Sequence, residues 1–394
     1  MAQHNSKHNG RRGPGTGRYA HVVGWGVDVP EKVMTNAEIE LLVDTSDEWI
    51  RDRTGIAQRH IADERETGVS MGVRASRRAL TMANMQPRDL NMIIVATSSP
   101  DYMFPATANL IQDKLGAPDA GAFDLLAACT GFIYGLGLAS AQIKSGAIDN
   151  ALIVGTETLS RIVDWTDRGT CILFGDGAGA FVLKASDIPG GVGEYVLHSD
   201  GSGGDYLYAR TSSRKTWNGS TLIYDEQNIK MNGREVYRFA SRVMAQATEE
   251  VLEKAGKTID DVSLIVPHQA NLRIIQAAAR GLNLPMEKLF VNLEKFGNTS
   301  TASIPLAVAD AIEAGRIQPN DRLVLVGFGA GLTWGAIMID WQVEPTPRSQ
   351  LSEVLRESWY ILARVRSLLL RLRRFVEALV YYPRQRRKSR EKQE

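Results

Sequence analysis

The chain has 394 residues, 44% hydrophobic and 23% charged, with a formal net charge of +1, a globular profile long enough for a sizeable core. That balance hides an acidic body and a basic end: residues 346–394 hold 13 Lys and Arg against 5 Glu, a net +8, leaving −7 for the rest, which argues against a nucleic-acid-binding domain. Two cysteines, with no CxxC or HExxH, exclude a disulfide scaffold and a metal pattern and indicate a reducing compartment.

Residues 1–18 are polar, basic and Gly-rich, with no apolar stretch to bury or to act as a secretory signal, and are expected to form a disordered leader. Ordered structure is expected from Ala20, where AHVVGWGV reads as a strand. Apolar runs bounded by turn residues then predict strands at 91–96, 151–155, 171–174, 263–266 and 322–327, separated by amphipathic helical stretches. Continuous apolar strands between helices indicate α/β layering with sheets covered on both faces.

The chain repeats itself. RDLNMIIV (88–95) aligns with DDVSLIVP (260–267) at an offset of 172, and 149–155 aligns with 321–327 at the same offset. Between them AQIKSG (141–146) matches DAIEAG (310–315) at 169. Matched strands flanking a matched helix point to a duplicated α/β core. The offset of 169 carries Cys129 onto Asn298, so the two halves are expected to present these residues at equivalent loop–helix junctions.

Cys129 precedes a helical stretch over 131–144, and the positive end of a helix macrodipole favours thiolate. Cys171, inside an apolar run without polar context, reads as buried packing. His268 follows the strand 263–266, and ligands gather at the carboxyl ends of strands in open α/β sheets. Taken alone His268 is as readily a structural residue, and Asn298 an N-cap. The Gly-rich GFGAGLT (327–333) lacks a phosphate-loop Lys-Ser/Thr pair but could offer a backbone N–H to an oxyanion.

Over about residues 20–343 the motifs SDEWIRDRTGI (46–56), AACTGF (127–132), DRGTCILFGDGAGA (167–180), MNGREVYRFA (231–240), VPHQANLRII (266–275), KFGNTS (295–300) and GFGAGLTWGA (327–336) closely resemble the β-ketoacyl-acyl-carrier-protein synthase III family of initiating condensing enzymes. The resemblance implies a thiolase-like duplicated core in αβαβα layers, divided at 19–190 and 191–345. It implies a Cys129–His268–Asn298 set; elongating synthases would carry His at 298, and thiolases a second catalytic Cys. Acyl-CoA would acylate Cys129, and malonyl-acyl carrier protein would then condense with loss of CO2, with no separate cofactor and no metal. The Cys129 and Ala330 N–H groups would form the oxyanion hole, although the family often has Gly at 330. Trp49, Arg53 and Arg168 match CoA-contacting positions. Phe174 and Phe328 match the acyl pocket and gate, and Phe104 a position that lines the partner's pocket across a homodimer. Arg238, Arg273 and Arg280 correspond to a patch that docks the acyl carrier protein. Two rivals stand beside this reading, a related secondary-metabolism enzyme and a non-catalytic membrane-associated scaffold.

The resemblance stops near residue 343. Beyond Pro345, apolar residues recur at spacings of three and four through Leu351, Leu355, Leu362, Val365, Leu368, Leu369, Leu372 and Phe375, interrupted by Arg364, Arg366, Arg371, Arg373 and Arg374. The pattern predicts a basic amphipathic helix in 346–394 that suits a membrane surface or an acidic partner rather than a spanning segment. The rest is expected to be cytoplasmic.

Overall fold

A computed structural model describes residues 17–210, 216–217, 222–223, 228–343 and 350–390. The first half builds a five-stranded sheet from β1 (Tyr19–Asp28), β2 (Met92–Ala96), β3 (Gly121–Leu125), β4 (Asn150–Glu157) and β5 (Gly177–Ser186), in the order β1-β5-β4-β2-β3. The second half builds four strands, β6 (Gly191–Ser199), β7 (Leu264–Pro267), β8 (Arg322–Gly329) and β9 (Thr333–Asp340), in the order β7-β8-β9-β6. Both sheets share one plan: a parallel pair (β2/β4, β7/β8), then an antiparallel strand, then an outer antiparallel one.

The continuous apolar runs are explained by burial on both faces. In β4, Leu152 and Val154 enter an outer core with Val73 and Leu80 of helix α2 (Gly68–Met82) and Ile111 of α3 (Thr107–Leu115). Ala151 and Ile153 enter the central core with Phe132, Ile133 and Leu136 of α4 (Gly131–Lys144). In β8, Leu323 and Leu325 face the same central core, while Val324 and Val326 face a third core with α5 (Gly233–Lys254) and α6 (Leu272–Gly281). Helix α7 (Ser303–Glu313) joins α4 between the sheets through Val308 and Ala311. The layers therefore run αβαβα, as the resemblance implied.

Three expectations need correction. The repeat runs at 172 through the strands and through both helix starts, Gly131 and Ser303. It drops to 169 only at the helix ends, because α4 has 14 residues and α7 has 11. Cys129 therefore corresponds to Thr301 rather than Asn298, and the left-handed residues Ala128 (φ 47°) and Ser300 (φ 46°) are the true pair. Residues 171–174 are not a strand: the Asp167 carboxylate caps Gly169 N at 2.8 Å and starts a short helix, Arg168–Cys171, with Cys171 buried at its last residue and a turn following. Residues 1–16 of the expected leader lie outside the described residues. Arg18, however, is fastened to the body, donating to the Ile143 and Ile148 carbonyls and to Asp149.

Arg59 is buried and ties the turn at Ile172 to Asn36. Its guanidinium donates to Asn36 Oδ1 at 2.8 Å and to Ile172 O at 2.7 Å, and desolvation lowers its pKa to about 10. Arg59→Ala removes both bonds and opens a cavity, so it should destabilise the fold by about 3 kcal/mol, read as a lower denaturant midpoint. An unchanged midpoint would show that the turn stands without it.

Candidate active site

Cys129, the candidate nucleophile, is set at a junction between strand and helix. Cys129 lies in the 3-10 turn Ala128–Thr130 that opens into α4, and left-handed Ala128 before it bends the backbone sharply. The turn is held from the other half: Thr130 Oγ1 bonds Thr333 Oγ1 at 2.7 Å, and Thr333 Oγ1 donates to Ala127 O at 3.0 Å. Glycine is required at 329, because a Cβ there would fall 2.7 Å from the Cys129 amide nitrogen. The end of β8, and Ala330 after it, are thus brought close to the nucleophile.

The expected thiolate is not favoured in this closed site. Burial pushes the Cys129 thiol up to about 12, a Ser300 hydrogen bond lowers it, and the neighbouring Glu157 carboxylate raises it. Cys129 is 8% exposed. Desolvation opposes the helix-dipole effect that its sequence position suggested.

His268 follows β7 and is buried. Its Nδ1 lies 2.6 Å from Ser303 Oγ, at the start of α7. With the Ser303 hydroxyl donating to Nδ1, the ring proton would sit on Nε2, which is buried without a hydrogen-bond partner among the described residues. Burial lowers the His268 pKa to about 3, so the ring is a neutral donor.

Asn298 is held on three sides. Its N–H donates to Leu173 O at 2.8 Å, its carbonyl accepts from Gly175 N at 3.0 Å, and its Oδ1 accepts from Ser300 N at 2.9 Å. Fixing Oδ1 inward turns the amide NH2 toward the remaining space. Phe328 packs edge-on against His268 with ring centroids 5.4 Å apart, and buried Phe174 bridges to Asn298.

The other expected site residues divide. The Arg168 guanidinium stacks on Trp49 at 4.9 Å, with Arg53 at 5.7 Å from the same ring. Trp49 and Arg53 belong to helix α1 (Asp47–Thr54), whose N-cap Ser46 accepts from Trp49 N. Phe104 is 83% exposed. Arg273 pairs with Asp52 at 2.8 Å, Arg238 pairs with Glu235 at 3.0 Å, and Arg280 is exposed at the end of α6.

Sequence reasoning missed Ser300, Ser303 and Glu157. The two serines stand in plain view in GNTSTAS, but which of them faces Cys129 or His268 depends on the turn. Glu157 was signalled only as a carboxylate ending an apolar strand. It is fully buried, accepting from Ser99 Oγ at 2.5 Å, Ser98 N at 3.0 Å and Thr301 Oγ1 at 3.0 Å.

Because the His268 value lies below the 6.5 of an ordinary histidine, the unfolded chain takes up the proton first. The contribution of this group to stability is complete above pH ~6.5 and is lost as pH falls toward ~3. Residue-resolved NMR should therefore show no titration of His268 between pH ~8 and ~5; a midpoint near 6.5 would refute the neutral donor.

Two family models match, 3-oxoacyl-[acyl-carrier-protein] synthase III over residues 123–201 and its C-terminal part over 252–341. The chain is 49% identical over 320 residues to β-ketoacyl-[acyl-carrier-protein] synthase III 1 of Bacillus anthracis, covering 81% of this chain and 98% of that protein. It matches the crystal structure of 3-oxoacyl-[acyl-carrier-protein] synthase III from Aquifex aeolicus VF5 at 46% identity and a TM-score of 0.77, covering 82% of this chain and all of the other. It also matches the priming β-ketosynthase of the R1128 polyketide biosynthetic pathway at 37% identity and a TM-score of 0.79, covering 86% and 100%. The duplicated αβαβα core agrees with these matches, and the chain belongs to the 3-oxoacyl-[acyl-carrier-protein] synthase III family.

Proposed function

We propose that this protein initiates fatty acid synthesis as a 3-oxoacyl-acyl-carrier-protein synthase, an acyltransferase acting through Cys129, His268 and Asn298. The observations that support the reading are buried His268 Nε2, without a hydrogen-bond partner among the described residues, and Ser300, which hydrogen-bonds the Cys129 thiol with its side chain and Asn298 Oδ1 with its N–H. Cys129 sulfur bonds to the acyl carbon, CoA leaves as the thiol, and the cysteine proton leaves with it. Malonyl-acyl carrier protein then loses CO2, and the enolate carbon attacks the acyl-enzyme. The Cys129 thioester breaks, and the sulfur regains a proton.

The donors act where charge develops. As CO2 leaves, negative charge grows on the malonyl thioester oxygen, and two N–H groups in a dry site stabilise it without reorganising. A neutral imidazole suits this role, since it donates while staying uncharged throughout. During acyl transfer the Cys129 and Ala330 N–H groups would hold the tetrahedral oxyanion. Phe328, packed against His268, would shield the pair from water.

Trp49, Arg53 and Arg168 would receive the CoA nucleotide, its base against the indole and its phosphates against guanidinium groups. Arg238, Arg273 and Arg280 would dock the acidic carrier protein, with Arg273 released from Asp52. A homodimer is supported by the edge strand β3 and the exposed Tyr102, Met103, Phe104, Phe123 and Leu126 nearby in sequence, which a second copy would cover. The working unit in this reading is 19–190 with 191–345, acting in the cytoplasm without a separate cofactor. Residues 346–394 would serve a membrane surface or an acidic partner. The R1128 likeness favours one second reading, priming of a secondary-metabolite pathway.

Mass spectrometry after incubation with a panel of acyl-CoAs tests the assignment. Wild type should gain one acyl group on Cys129, and Cys129→Ser should gain none. His268→Ala and Asn298→Ala should still be acylated, yet lose about 10²–10³-fold in malonyl decarboxylation. Failure of the wild type to acylate with any CoA thioester would overturn the enzyme reading. The preferred primer separates fatty acid from secondary-metabolite priming.

A further inference from the structure

The basic tail forms one helix, α8 (Gln350–Arg390), and its two sides have different fates. The inner side is docked on the body. Tyr360 and Ala363 are buried, and Ala363 sits where a Cβ at Gly116 would fall 2.4 Å away, so only glycine lets the helix approach α3 there. Arg77 stacks on Tyr360 at 4.0 Å, Arg88 stacks on Trp359 at 4.7 Å, and Asp113 accepts from Ser367 Oγ at 2.9 Å and Arg371 at 3.0 Å. Trp359 and Tyr360 thus face inward, against Arg88 and Arg77.

The outer side is apolar and uncovered. Ile361, Leu362, Val365, Leu368, Leu369, Leu372, Phe375 and Val376 are all exposed, Leu368 by 64%. At helical pitch they fill an arc of about 140° over about 22 Å, with no polar side chain inside it between 361 and 376. Arginines stand on both margins: Arg364 and Arg371 on one, Arg366 and Arg373 on the other. Beside the Leu368 edge lies a cleft of about 540 Å³ lined by Arg74, Arg77, Lys114, Arg364 and Arg371, with Asp113 as its one acid. Between 358 and 378 Glu377 is the only acidic residue, and it is paired to Arg373.

We infer that this outer face docks on an anionic phospholipid bilayer. The inference rests on the reading of residues 346–394 as an interaction segment, and it selects one occupant by charge. A second copy of the helix would set arginine margins against arginine margins in either direction of pairing, which repels. An anionic headgroup layer meets both margins favourably, while the uninterrupted arc enters the acyl boundary to the shallow depth typical of interfacial helices. Spanning is not required, and among the described residues no helix is long and apolar enough for it. The partner is thus a lipid surface, bound in plane with the body held alongside.

Full-length protein is co-sedimented with vesicles of phosphatidylcholine alone or with phosphatidylglycerol added. Partitioning onto the anionic vesicles should exceed that onto neutral ones by about tenfold and fall with added salt. Leu368→Glu with Leu372→Glu should lose about tenfold or more, while the thermal midpoint and Cys129 acylation stay at wild-type values. Arg366→Glu with Arg373→Glu should abolish the preference for anionic vesicles. Equal binding to both vesicles, or unchanged binding by the leucine pair, would overturn the inference. So would a wild type that ignores vesicles but loses an oligomer in sedimentation when the leucines are replaced. Vesicle binding by a protein that fails to acylate would overturn the enzyme reading and leave this one standing.

Discussion

Glu157 is the point on which the two halves of the site are hung. A carboxylate without solvent is costly unless hydrogen bonds surround it. Here they come from both sides, from Ser98 and Ser99 after β2 and from Thr301 in the second half. The Thr301 hydroxyl also lies 2.9 Å from Ala96 O, and its single proton is shared between that carbonyl and Glu157, which holds the turn that follows Asn298 against the first sheet. Burial raises the Glu157 pKa and these bonds lower it. The Cys129 turn and the Asn298 loop thus meet across one buried carboxyl group, whose pKa is raised on balance by burial, and their relative placement depends on keeping it hydrogen-bonded.

The same carboxyl group bears on Cys129. Burial and a nearby negative charge both disfavour thiolate, while the helix start and Ser300 favour it. A nucleophile kept as a thiol is protected from solvent until a thioester arrives. It is also less reactive, and in the proposed reaction the backbone N–H groups of Cys129 and Ala330 would activate the electrophile instead. His268 follows the same economy of charge: dry, neutral, and oriented by Ser303 rather than by a carboxylate.

Much of this was legible in residue order. Two-sided apolar strands announced the layers, and the run after Cys129 announced its helix to the residue, because both signals are local. The repeat was real, yet its arithmetic misplaced Asn298 by three residues. Strands tolerate no slip against their neighbours, whereas α7 could lose nearly a turn without disturbing the sheet, and an offset measured at its far end was carried back across the deletion. Ser303 and Glu157 were not legible, since each matters through a contact more than thirty residues distant. The Cys129 proton was misjudged for a related reason: helix polarity can be read from sequence, but desolvation cannot.

The tail shows the limit of periodicity most clearly. Spacings of three and four identify an amphipathic helix, but α8 has apolar or aromatic residues around most of its circumference, so pattern alone cannot say which side meets the body. Close approach decides it. Ala363 against Gly116 admits only a small side chain, and this pins the rotation of the helix. Trp359, Tyr360 and Ser367 then fall inward, and the leucines have nowhere to go but out. A helix held this way through side-chain stacks, an ion pair and a glycine contact is a rigid strut rather than a tether. Whatever surface its outer face meets therefore acquires a fixed orientation relative to α3 and the sheet behind it.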